Sequence, residues 1–377
     1  MVEKRIGFGI PIQEFFDLIV GTRYVSTPAN FNSYLSWHTN HLATSGGGIV
    51  ALAIGEKNMS VAEATDMFKS FAKRAFSLRW GAGVPLFGRI IQLKYHSQYE
   101  SQGLEASLKE SFGGTLLFGG TRDLQSSARC KVAVTTTDTN REAILLSNYN
   151  RMARINTPYY FQRFEKPQQE LSVWEAARAT SAAPGYFRSF YKPENCHTYQ
   201  DGALKLNNPV LAADYERQIV WPDCAHTLPD ILLSIGTGHF PDAKVRTGEP
   251  GPRVGIGIVN GAKAFVQVGR DFIEEGLDCE RTWEDYVQCT VSEVSERKNR
   301  LHRLILPIDG PKIDLDAVDK MPELEERTKR YYGRNQSIID KVAGQLAASL
   351  FYVSLVSRVA MTVTGNPRRP VRVRKGG

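Results

Sequence analysis

A serine stands before three glycines in Ser45-Gly46-Gly47-Gly48, and an apolar run, Ile49 to Ile54, follows at once. That order suits a strand-to-helix turn that lifts one hydroxyl out of a sheet edge. Glycines adopt backbone angles that other residues avoid, and they let a substrate or a second backbone come close to the serine oxygen. A serine at the amino end of a helix also meets free amides and a helix dipole that favour developing negative charge. The chemistry predicted is nucleophilic attack, with Ser45 as nucleophile and Gly46, Gly47 and Gly48 forming the elbow and its oxyanion side. The same four residues equally fit a flexible glycine loop with a bystander serine.

A serine needs a base to act at neutral pH. None of the seven histidines stands in a triad context; His197 comes nearest, inside a predicted strand. Asp201 is the better candidate, because it closes that strand in Asp201-Gly202-Ala203, where small residues let other chain pack against the carboxylate. An aspartate at its reference pKa of about 3.9 is a weak base. A dry site within direct hydrogen-bond reach of the serine raises its basicity. An ordinary tight turn is the plainer account of Asp-Gly. No group of His, Cys, Asp or Glu has metal-ligand spacing, so neither metal nor other cofactor is expected. Gly46 to Gly48 lack a following Lys-Ser/Thr, and no acidic residue stands at dinucleotide spacing, which argues against a nucleotide loop.

The elements that must hold these residues read as follows. Phe15 to Val20 is a strand ending in Gly21-Thr22. The polar segment Arg23 to Thr44 then separates it from Ser45 and shows no sustained period. Joined across that gap, the chain reads Gly-Thr-Ser-Gly-Gly, a complete elbow. The segment is therefore expected to be an insertion outside the core, with a translated intron as one source. Ser60 and Glu63 form a capping box opening a helix through Phe68, Phe71 and Ala75. Lys131 to Thr137 and Ala143 to Ser147 make a hairpin, and Ser172 to Ala182 a helix stopped by Pro184. Asn207-Asn208-Pro209 starts another helix, and Ile231 to Ile235 is a buried strand. Alternating strands and helices predict a three-layer α/β/α fold with a mainly parallel sheet. Beyond Phe240 come a polar linker, Asp242 to Pro252, a helix near Val259 to Glu275, strands near Tyr286 to Val291 and Leu301 to Leu306, and helices from Ile313 onward.

Composition narrows the function classes. With 42% hydrophobic and 23% charged residues over 377 positions, the chain is globular rather than disordered. Five scattered cysteines without a Cys-x-x-Cys point to reduced thiols in a cytoplasmic-type compartment. No apolar core of signal-peptide length follows Met1. Val342 to Val356, interrupted by Gln345, reads as a packed helix and not as a membrane span. Most of the net charge of +7 sits in Arg368, Arg369, Arg372, Arg374 and Lys375, a basic disordered tail over 366–377 rather than a nucleic-acid surface.

Four stretches in order carry a family resemblance: Phe16 to Thr22 joined to Ser45 to Ile49, Trp174 to Pro184, Asp201-Gly202-Ala203 with Asn207-Asn208-Pro209, and Ser234 to Gly238. Together they resemble the patatin-like phospholipases, in the cytosolic calcium-independent form common in fungi. The resemblance implies a lipid acyl hydrolase with a Ser45–Asp201 dyad working through an acyl-enzyme. Gly202, Ala203, Asn207 and Asn208 support the motif. It also implies a phospholipid or lysophospholipid substrate met at a membrane surface, and a cytoplasmic, peripheral location. The expected organisation is an acyl hydrolase domain over 1–240 with 23–44 inserted, a C-terminal α/β extension over 241–365, and the tail. The family's Asp-Gly-Gly-Gly-x-Arg-Gly oxyanion loop has no match before the elbow, so an N-terminally truncated fold is expected. With that loop unmatched and Ser45 on a loose tether, weak activity is expected too. A lipid- or partner-binding pseudoenzyme is the alternative.

Overall fold

The computed structural model describes residues 39–76, 97, 99–119, 130–151, 156–222, 225–229, 231–239, 279–290, 299–310, 313 and 316–346. Strand β1 (Thr39–Thr44) runs straight into helix α1 (Ser45–Gly55), and α2 (Val61–Ala75) follows. Next come α3 (Ser101–Phe112), β2 (Cys130–Thr137), β3 (Ala143–Ser147) and the short β4 (Tyr160–Phe161). After them are α4 (Val173–Thr180), β5 (Phe190–Lys192), β6 (His197–Asp201), the one-turn α5 (Ala203–Leu206) and α6 (Val210–Val220). The remaining described elements are β7 (Leu232–Ile235), α7 (Cys279–Thr290), β8 (Leu301–Leu304), α8 (Met321–Arg334) and α9 (336–346).

β2 is the hub of the sheet. The strand order is β4-β3-β2-β6-β5, and β1 also pairs with β2. β3 takes one edge of β2 antiparallel. The other edge is shared: β1 lies parallel along Cys130 to Thr135, and β6 continues antiparallel at Thr136 and Thr137. Helices α1 and α4 pack on β2, and α6 packs on β1, which gives the three-layer α/β/α arrangement. The sheet is mixed where a mainly parallel one was expected. β1–β2 and β3–β4 are parallel, but the β2–β3 and β5–β6 connections are tight, and tight connections join antiparallel neighbours.

Thr39 to Thr44 corrects the expected insertion. This part of the segment does not loop outside the core; it is the strand that delivers Ser45. Asn40, His41, Leu42 and Ala43 are all 0–1% exposed, and Leu42 and Ala43 join the main core with Ile49, Leu52, Val132 and Val134. Parallel pairing with β2 satisfies one backbone edge of a segment whose own composition does not announce a strand. Residues 16–22 and 23–38 lie outside the described residues.

Tyr286 to Val291 brings a second correction, since Tyr286 lies in helix α7 and not in a strand. Trp283, Tyr286 and Val287 fall at helical spacing, and all three pack on the main core. That apolar stripe outweighs the local β-branched composition. The strand expected near Leu301 forms as β8, parallel to β7. The expected linker at 242–252 and helix near 259–275 fall outside the described residues.

Candidate active site

α1 is apolar on all sides because it is buried against β2, α4 and α2; Gly48, Ile49, Ala51, Leu52, Ala53 and Ile54 are all enclosed. Its first residue, Ser45, turns the chain out of β1. Thr44 is extended at φ −130°, whereas Ser45 has φ 55°, in the left-handed region. A non-glycine residue there costs about 1–2 kcal/mol and persists only where its surroundings hold it. The half-buried Ser45 hydroxyl is thereby turned off the end of the sheet.

Asp201 reaches the same point from the opposite direction. β1 ends with Thr44 opposite Thr135, and β6 ends with Asp201 opposite Thr136, so successive residues of β2 set the two strand ends head to head. The Ser45 hydroxyl donates to Asp201 Oδ2 at 2.7 Å. The Ala203 amide donates to Oδ1 at 2.9 Å. Asp201 is fully buried, and burial pushes its carboxyl from 3.8 up to about 7, against the lowering effect of those two donors. A buried carboxylate of that basicity, 2.7 Å from a serine, is able to accept the serine's proton. Among the described residues no histidine bonds to either side chain.

The glycines have separable roles. A Cβ on Gly202 would lie 2.2 Å from Thr135 Oγ1 and 2.4 Å from its carbonyl oxygen. The motif glycine is therefore demanded by the backbone of β2 passing behind it. Gly202→Ala should cost about 3 kcal/mol or more, on the scale of severe overpacking. A drop in the urea midpoint checks this, with Gly47→Ala as comparison, because Gly47 is exposed and its Cβ would meet nothing closer than 3.9 Å. A Cβ on Gly48 would strike Thr180 at 2.8 Å, and one on Gly46 would press on the Phe68 ring at 3.3 Å. Gly48 is thus a packing residue. Gly46 and Gly47 lie in the first turn, where amides have no acceptor within the helix.

Asn208 caps rather than touches the dyad: its Oδ1 accepts from the Val210 amide at 3.3 Å and its Nδ2 donates to the Cys279 carbonyl at 3.0 Å. Asn207 closes α5. Sequence reasoning passed over a set of threonines. Thr44 Oγ1 donates to the Leu206 carbonyl at 2.7 Å, so the 2.6 Å bond between Thr44 and Thr135 hydroxyls takes its proton from Thr135. Thr180 Oγ1 accepts from the Ser45 amide at 3.0 Å. For Thr44 and Thr180 the sequence signal is a hydroxyl at the last position of a strand or helix feeding a candidate site; Thr135 lies inside β2.

Residues 42–214 match the family model described as Patatin-like phospholipase, a span that holds Ser45, Thr180 and Asp201. The chain carries a patatin-like domain. It is 30% identical over 234 residues to human calcium-independent phospholipase A2-gamma, covering 61% of this chain and 25% of that protein. It is 27% identical over 292 residues to Phospholipase A I of Arabidopsis thaliana, covering 66% of this chain and 20% of the plant protein. It is 24% identical over 249 residues to the cGAMP-activated phospholipase of Vibrio cholerae, covering 63% of this chain and 57% of the bacterial protein. The chain thus spans about a quarter of the human relative's length. Around the patatin-like domain, among the described residues, no helix is long and apolar enough to cross a membrane.

Proposed function

We propose that this chain is a lipid acyl hydrolase that cleaves carboxylic esters of phospholipid or lysophospholipid with a Ser45–Asp201 dyad. The 2.7 Å hydrogen bond from the Ser45 hydroxyl to the buried Asp201 carboxylate, inside a patatin-like domain, carries the proposal. Relatives named as phospholipases support the substrate class. The enzyme works at the cytoplasmic face of a membrane, as a peripheral protein. The pairing of β1 with β2 supports activity against one of the two reasons for expecting it weak, the loose tether; the unmatched oxyanion loop is the other.

Ser45 Oγ attacks the ester carbonyl as its proton passes to Asp201. The oxyanion forms against the first-turn amides of α1, where Gly46 and Gly47 donate. Collapse breaks the ester bond; Asp201 returns the proton to the leaving alkoxide, and the acyl group stays on Ser45. Water then attacks this acyl ester, giving its proton to Asp201; as the acyl–oxygen bond breaks, Asp201 passes that proton to Ser45 Oγ, and the fatty acid leaves with Ser45 and the carboxylate restored.

A fluorophosphonate probe should label the purified chain at Ser45, read by peptide mass spectrometry. Ser45→Ala should lose both the label and the hydrolysis of lysophospholipid vesicles and p-nitrophenyl esters. No step calls for a metal, so EDTA should leave the rate unchanged. With its carboxyl at about 7, Asp201 is the ionised base only at higher pH, and kcat/KM should rise with pH and level off above an apparent pKa near 7. Labelling at another serine, or full activity in Ser45→Ala, sinks the proposal.

A further inference from the structure

We infer that the carboxyl end of α4, Thr180 to Ala182, is the template that aligns the dyad, with Thr180 as the positioning residue for Ser45; this rests on the acyl-hydrolase function proposed above. Ser45 and Asp201 belong to different strands and are far apart in sequence, and the carboxyl end of α4 holds the backbone of each. Thr180 Oγ1 accepts the Ser45 amide at 3.0 Å, and the Ala182 carbonyl accepts the Asp201 amide at 3.1 Å.

The surroundings leave Thr180 little freedom. It is fully buried, and its methyl and hydroxyl lie over Gly48, within 2.8 and 2.9 Å of where a Cβ would stand. α4 itself is fixed at its other end by a capping box, in which Glu175 accepts from the Ser172 amide at 2.8 Å and the Ser172 hydroxyl at 2.9 Å. Ser181, between the two holding residues, donates to the Ala177 carbonyl at 2.7 Å and keeps the last turn closed. Thr180 thus occupies one position, and its oxygen meets the amide of a residue held at φ 55°. Without that acceptor a partly buried amide loses its partner, and the left-handed turn loses the bond that favours it. The Ser45 amide is also thereby withdrawn from the oxyanion side, which leaves Gly46 and Gly47 as the first-turn donors there.

The substitutions Thr180→Val and Thr180→Ser separate this role from packing. Valine keeps the shape and loses the acceptor; serine keeps the acceptor and loses the methyl. Turnover by Thr180→Val should fall roughly 10- to 100-fold while KM changes by no more than about two-fold, because misplacement of a reacting group by a fraction of an ångström acts on the chemical step. Thr180→Ser should turn over within about three-fold of the wild type. Hydrogen exchange of the Ser45 amide gives a readout independent of turnover: protection should persist in the wild type and Thr180→Ser and be lost in Thr180→Val. If packing were the whole role, the order would reverse, with serine worse than valine, and that result overturns the inference. So does a Thr180→Val protein with unchanged turnover and an unchanged Ser45 amide. A wild type that fails to hydrolyse esters while its Ser45 amide loses protection in Thr180→Val overturns the proposed function and leaves the positioning role standing.

Discussion

Asp201→Asn is expected to abolish hydrolysis and, above pH 7, to make the protein more stable. The substitution keeps the shape of the site. An amide oxygen still accepts from the Ala203 amide, as Oδ1 does now at 2.9 Å, and the amide nitrogen faces the Ser45 oxygen. It removes the base, which is worth on the order of 10²–10⁴ in rate. The stability effect has the opposite sign. The carboxyl titrates at about 7 in the folded chain and at 3.8 as a free side chain, so the native state holds a proton that the unfolded state has released. Stability from this group is complete below 3.8, is lost as pH rises toward 7, and stays lost above it. Asparagine does not titrate and keeps what the wild type loses. The difference in unfolding free energy should be near zero at pH 4 and reach on the order of 1–4 kcal/mol by pH 8, using about 1.4 kcal/mol per pKa unit. Urea midpoints for both proteins at the two pH values check this. Equal midpoints at pH 8 would mean that Asp201 is not held at the expense of the fold.

The meeting of Ser45 and Asp201 could be read from sequence for a local reason. Each half lies beside a close contact that leaves a glycine in the chain. Gly48 makes room for Thr180, and Gly202 makes room for the β2 backbone. Such demands are local and strict, so Ser45-Gly-Gly-Gly and Asp201-Gly-Ala stand out. The hairpin of β2 and β3 could be read for a similar reason, as two β-branched runs flank a short turn. The direction of β6 against β2 could not, because it depends on pairing Asp201 with Thr136 across a long separation. Thr180 was missed because a threonine ending an alanine-rich helix looks like any other. β1 was missed for a deeper reason. Thr-Asn-His-Leu-Ala-Thr has two apolar residues and no alternation, yet both its faces are enclosed. A strand buried on both faces is normally an apolar run, and Phe15 to Val20 is such a run.

A chain shortened by removal of Arg23 to Thr44 is therefore expected to fold, and to be more stable than the full chain. Removal sets Thr22 directly before Ser45, and residues 17–22 fall one for one on the six positions of β1. Thr22 would stand at Thr44, keeping a hydroxyl for the Leu206 carbonyl and Thr135. Gly21 would stand at Ala43, restoring Gly-x-Ser-x-Gly, and Val20 at Leu42. The decisive exchanges are of polar for apolar: Ile19 would replace His41 and Leu18 would replace Asn40, two polar side chains that are 0–1% exposed in β1. Burying a leucine or isoleucine contributes roughly 1.5–3 kcal/mol, and a buried polar side chain must first be stripped of water. The two exchanges together should add roughly 3–6 kcal/mol, and Val20 for Leu42 and Gly21 for Ala43, both fully buried, should take back about 1 kcal/mol each, leaving a net gain of roughly 1–4 kcal/mol. Thermal melting should rise by several degrees or more, and Ser45 should still take the fluorophosphonate label. A shortened chain that is insoluble, or that melts no higher than the full one, would show that Thr39 to Thr44 has no equal in the sheet and that the polar strand belongs where it is.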